Sequence, residues 1–143
     1  PTIGQENALQ SAKSYLNVSA FSYQGLIDQL EYEKYSVEDA TYAVDNCGAD
    51  WNEQALKSAQ NYLNISAFSY QGLYNQLVYE KYTSDQAVYA VDNCGADWNE
   101  QAAKSATSYL NIMSFSRDSL IDQLVYDGYT KDQAVYGVEA NGY

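Results

Sequence analysis

One string dominates this chain. AVDNCGADWNEQA stands at residues 43–55 and again at 90–102, and YLN recurs at Tyr15, Tyr62 and Tyr109, a spacing of 47 residues. Laid over one another, the first two copies agree at about 35 of every 47 positions, and the third agrees with the second at roughly 24 of 42. A chain built this way folds as copies of one supersecondary unit, because each copy offers the same apolar pattern to its neighbours. The 143 residues hold three such units, divided at 1–49, 50–96 and 97–143.

Within the second copy, periodicity predicts three short helices. Asp50-Trp51-Asn52-Glu53 has the form of a capping box, and Ala55, Leu56, Ala59, Tyr62 and Leu63 then share one helical face. Phe68-Ser69 opens a second helix, with Ser69 as N-cap and Phe68 and Leu73 placed as a hydrophobic staple. Thr83 and Gln86 form a further capping box before the third helix, whose inner face carries Ala87, Ala90, Val91 and Cys94. Gly95 is the expected left-handed stop, and Ala96 alone separates it from Asp97, the next N-cap. A link this short predicts units that pack on one another, and a unit of this size has a marginal core by itself. The expected fold class is therefore all-α: three tandem three-helix units of period 47, rigidly joined. Glu31 becomes Val78 and Val125 in the later copies, off the expected core face, which suggests a contact between units.

Charge and composition narrow the function. There are 19 acidic and 7 basic residues, no His, and a net charge of −12. Phosphate recognition needs clustered Lys and Arg, so nucleic acid is not an expected partner, and a basic patch for anionic membranes is missing too. The start of the third helix carries Val37, Glu38, Asp39 and Thr41 in the first copy and Ser84, Asp85, Gln86 and Val88 in the second, a face that repels DNA. Catalysis lacks its usual parts: no His, no Gly-rich phosphate loop and no HExxH. No catalytic, cofactor or metal residue is assigned, and the chain is not expected to be an enzyme. Cys47 and Cys94, at equivalent helix ends, are expected to stay unbonded.

The 16 tyrosines are the remaining lead. Tyr15, Tyr35 and their copies face the core by periodicity. Tyr32, Tyr79 and Tyr126 do not, nor do Tyr42, Tyr89 and Tyr136. Amphipathic rings among carboxylates suit a protein-binding surface, or else packing between units. Net charge is −6 over residues 1–50, −3 over 51–97 and −3 over 98–143, which makes the first copy the strongest attractor of a basic partner. The candidate binding residues are Glu31, Tyr32, Glu38, Asp39, Tyr42, Tyr79, Tyr89, Tyr126 and Tyr136.

The pattern LxxQLxYEKYSxxDAxYAV at Leu26–Val44 and its copy from Leu73 follow an AxxAxxYL helix, with FSxxGL between. Together these resemble the tandem, helix-turn-helix-like repeat of the Ltp-type host-cell-surface lipoproteins, over nearly the whole chain. The resemblance implies a prophage-encoded lipoprotein of Gram-positive bacteria that acts in superinfection exclusion, blocking DNA injection by a tailed phage. The implied partner is the phage tape-measure protein. It further implies a location on the outer face of the cell membrane, held only by a lipid anchor, with a signal peptide and lipobox Cys expected upstream of Pro1. A monomer is expected. The alternative is a structural surface repeat, an adhesin or spacer, without an antiviral role.

Overall fold

A computed structural model describes all 143 residues, Pro1–Tyr143. It contains nine helices and no strand: α1 Ile3–Val18, α2 Tyr23–Tyr32, α3 Val37–Asn46, α4 Trp51–Ile65, α5 Tyr70–Tyr79, α6 Ser84–Asn93, α7 Trp98–Ile112, α8 Arg117–Tyr126 and α9 Lys131–Glu139. The chain divides into two compact units, Pro1–Ser58 with Leu77–Ala90, and Ala59–Gln76 with Val91–Tyr143.

The first unit is built around α1, α2 and α3. Ala8 and Ala12 lie one turn apart on α1, and Ala40 and Ala43 on α3; all four are fully buried. Small side chains at these positions let α1 and α3 approach closely, and Leu26, Ile27, Leu30 and Val44 fill the space beside them. Each fully buried Leu contributes about 1.5–3 kcal/mol relative to exposure. Trp51, at the start of α4, closes this core by an edge-to-face contact with Tyr23, ring centroids 5.6 Å apart.

Helix boundaries follow local chemistry. Ser22 and Ser36 accept from the amides of Gly25 and Asp39 at 2.9 and 3.1 Å. Thr2 with Gln5, and Thr83 with Gln86, form reciprocal capping boxes. Asp50 caps α4 through the amides of Asn52 and Glu53, but the Glu53 carboxylate accepts the Tyr89 hydroxyl at 2.9 Å. The expected reciprocal box thus gives way to a tie between α4 and α6. Gly48 and Gly95 end their helices at φ 76°, the left-handed conformation that needs no Cβ. After α2, Lys34 takes that conformation at φ 74°, while Tyr35 N donates to Leu30 O at 3.1 Å.

The second unit repeats the plan with α7, α8 and α9 around Ala102, Ala106, Leu120, Leu124, Ala134 and Val138. Gly137 stands where the earlier copies have Ala43 and Ala90. A Cβ there would lie 2.6 Å from the Ala102 carbonyl carbon, so α9 and α7 meet backbone to backbone. Val78 and Val125, which periodicity places off the core face, are 40% and 42% exposed.

Candidate protein-binding surface

Contacts between consecutive repeats recur in both compact units. In the first unit, Phe21 N donates to Gln54 Oε1 at 3.1 Å, and Ser22 Oγ donates to the Glu80 carbonyl at 2.6 Å. In the second, Phe68 N donates to Gln101 Oε1 at 3.0 Å, and Ser69 Oγ donates to the Asp127 carbonyl at 2.8 Å. Both glutamines are buried, so each side chain satisfies a loop amide that water reaches poorly. Lys81 adds an ion pair with Asp28 in the first unit.

A cleft flanks each of these contacts. One, about 290 Å³, is lined by Phe21, Ser22, Asp28, Tyr79, Glu80 and Lys81. The other, about 260 Å³, is lined chiefly by Phe68, Ser69, Tyr109, Ile112, Asp127 and Tyr129. Burial pushes the Glu80 carboxyl above its ordinary range.

Much of the acidic surface is already engaged by tyrosine. Tyr15 donates to Glu33, Tyr109 to Asp127 at 2.5 Å, Tyr23 to Asp45 at 2.6 Å and Tyr70 to Asp92 at 2.8 Å. The hydroxyls of Tyr15, Tyr23, Tyr70 and Tyr89 are raised above the ordinary phenol range, first by the carboxylate that accepts each proton. Tyr109 is raised first by burial and then by Asp127. In the third copy Arg117 replaces the tyrosine of Tyr23 and Tyr70, and pairs with Glu139 at 3.0 Å.

The residues singled out from sequence are distributed as follows. Tyr32, Tyr79 and Tyr126 stand almost free in solvent, 83%, 82% and 87% exposed, at the last position of α2, α5 and α8. Glu31 shares the end of α2 but is half-buried. Glu38 is exposed on the first turn of α3, whereas Asp39 on that turn and Tyr42 on the next are half-buried. The Asp39 carboxylate lies against Gly4 of α1, where a Cβ would sit 2.4 Å from Oδ2. Tyr89 is half-buried, and Tyr136 is 47% exposed. Sequence reasoning missed Val18, Ile65 and Ile112, which end α1, α4 and α7 at 80%, 82% and 80% exposure. The available signal was an aliphatic residue kept at one position in all three copies.

Comparison with known proteins places this arrangement. The repeat pattern of the host cell surface-exposed lipoproteins, Ltp, matches residues 4–47, 50–94 and 97–140. The chain belongs to this family. Among solved structures, this Ltp-family chain is similar to that of Ltp, a superinfection exclusion protein from the Streptococcus thermophilus temperate phage TP-J34. The identity is 36%, the TM-score 0.62, and the match covers 65% of this chain and 97% of the other. No curated protein sequence matches it. Three Ltp repeats account for the nine helices, three to each repeat. No group of three or more His, Cys, Asp or Glu is arranged to hold a metal ion, and no helix is long and apolar enough to cross a membrane. Cys47 and Cys94 are free thiols, each directed at a carbonyl of its own helix, Val44 and Val91.

Proposed function

We propose that this chain acts in superinfection exclusion at the cell surface, stopping DNA injection by an incoming tailed phage through capture of its tape-measure protein. The observation that carries the reading is the match of all three repeats to the Ltp family, together with 36% identity to a superinfection exclusion protein. Its chemistry is consistent with capture. A surface of net charge −12 attracts a basic segment and raises its encounter rate. Exposed tyrosines then supply apolar contact area with a polar end, as at other protein interfaces. The surface around Glu31, Tyr32, Glu38, Asp39 and Tyr42 belongs to the copy with the largest negative charge, which makes it the first docking candidate. Attachment to the membrane would come from a lipid anchor upstream of Pro1.

The test is expression of the chain behind a lipoprotein signal in a phage-sensitive Gram-positive host. Phage adsorption should be unchanged while phage DNA inside the cell falls sharply, and escape mutations should fall in the tape-measure gene. Normal DNA entry would overturn the exclusion reading. Escape mutations confined to receptor-binding proteins would overturn the tape-measure assignment.

A further inference from the structure

Three exposed aliphatic residues and three exposed tyrosines occupy equivalent places in the three repeats. Val18, Ile65 and Ile112 end the first helix of each, and Tyr32, Tyr79 and Tyr126 end the second. All six are 80–87% exposed. Packing does not hold such side chains in place, yet their aliphatic and aromatic character persists while several other exposed positions drift. Lys13 becomes Gln60 and Thr107, Gln24 becomes Gln71 and Asp118, and Val37 becomes Ser84 and Lys131. In the first and third repeats the two helix ends are tied together, by Tyr15 on Glu33 and Tyr109 on Asp127. A carboxylate therefore directly follows each exposed tyrosine at these points. In the third repeat Ile112, Tyr109 and Asp127 also line the cleft of about 260 Å³, a space suited to one apolar side chain.

We infer that the first and third repeats each carry one contact point, formed by the exposed aliphatic residue and the exposed tyrosine of that repeat, and that the partner is a protein segment bearing apolar side chains flanked by Lys or Arg. This inference rests on the capture reading above and assigns it a place on these two repeats and a valence. Charge selects the partner. At net −12, a second copy of this chain and an anionic lipid surface are both repelled, whereas a basic segment is drawn in. Apolar neighbours on that segment then cover side chains that otherwise face water. Two points on one chain make the second contact intramolecular, so binding strengthens when both repeats are engaged.

The test uses the full chain and a synthetic amphipathic Leu/Lys helix of about 18 residues, roughly five turns. A Lys-only peptide of equal length is the control. Pairs are replaced repeat by repeat: Val18→Ser with Tyr32→Ser, and Ile112→Ser with Tyr126→Ser. Each pair should weaken the Leu/Lys peptide by ~tenfold, as loss of an anchor does, with melting unchanged. The Lys-only peptide should bind more weakly and ignore the replacements. Undiminished binding by the variant with both pairs replaced, or equal affinity for both peptides, would overturn the inference. Binding of the wild-type chain to phosphatidylcholine vesicles, lost in the same variants, would overturn it in favour of a lipid surface. Exclusion that persists in the variant with both pairs replaced removes this inference and leaves the exclusion reading standing. Failure of the wild-type chain to exclude phage, with peptide binding as expected, removes the exclusion reading alone.

Discussion

Replacing Tyr82 by Phe isolates one buried hydrogen-bond chain. The ring is 3% exposed, and its hydroxyl donates to the Gln54 carbonyl at 3.1 Å. The hydroxyl also shares a 2.6 Å bond with Ser58 Oγ; with the phenol proton on Gln54, that shared proton comes from Ser58. Phe keeps the ring and its packing, so the change removes one donor and one acceptor only. The Gln54 carbonyl retains its own helical bond, whereas the buried Ser58 hydroxyl loses its acceptor. One net hydrogen bond contributes about 0.5–1.5 kcal/mol, and a stranded buried group raises the loss toward 1–3 kcal/mol. The expected cost is about 1–2 kcal/mol. At ~2.1 cal/mol/K per residue this lowers Tm by roughly 3–6 °C. Tyr35 provides the internal control. It is half-buried and bonds Ser11 at 2.9 Å and the Asn7 carbonyl at 3.3 Å, so Tyr35→Phe should cost less, about 0.5 kcal/mol. Urea unfolding of both variants, with Ser58→Ala and the double mutant, gives the coupling directly. Equal costs at the two tyrosines, or strict additivity of Tyr82→Phe and Ser58→Ala, would refute the reasoning.

Burial pushes the Tyr82 and Tyr129 hydroxyls from their ordinary value of 10.0 up to about 12. The unfolded chain releases these protons first, so their stabilising effect is complete below pH 10 and is lost as pH rises toward 12. Ultraviolet titration of phenolate should find these two tyrosines ionising last, and urea midpoints should fall across that range. Lys34 sits at φ 74° without a glycine's freedom, so Lys34→Gly should raise stability by about 0.5–1 kcal/mol. Gly128→Ala should instead lower it by about 1–3 kcal/mol, because φ is 106° and the new Cβ would meet Ser69 Oγ at 2.7 Å; urea melts decide both. Glu38→Lys, on an exposed first turn, should leave melting within about 0.5 kcal/mol and slow association with a basic peptide, most visibly at low salt in stopped-flow kinetics. Alkylation without reductant should modify both Cys47 and Cys94; a mass two units low with no adduct would reveal a disulfide.

If capture is multivalent, the repeat count becomes a functional variable. Chains with fewer contact points should hold the same partner more weakly, and divergence of one repeat should matter less than loss of several. The third repeat has kept Ile112 and Tyr126 while replacing Tyr23 and Tyr70 by Arg117. The inward residue changed its bonding partner from a tyrosine–carboxylate pair to an ion pair, and the outward pair stayed.

The sequence by itself determined the repeat, the nine helices and most of their ends, because these are local properties. Ser, Thr or Asp before an apolar period caps a helix wherever it occurs, and Gly48 and Gly95 stop one through their own backbone freedom. The exposed tyrosines at the end of each second helix were legible for the same reason: a period of 3.6 places them away from Leu26 and Leu30 and their copies. Tertiary structure decided what identical local motifs become. Phe-Ser occurs three times, yet Ser22 and Ser69 are 3% exposed beneath the carbonyls of Glu80 and Asp127, while Ser116 is open to solvent. Glu53 had the spacing for a capping box and instead accepts from Tyr89, because a phenol from another helix competes with a nearby amide. Neighbouring repeats meet through Gln54, Gln101 and two serines, none of which stands out in the apolar period. A side chain's periodicity states which way it points from its own helix. Which distant segment meets it there depends on contacts 33 to 58 residues away along the chain, and those are settled only when the repeats pack.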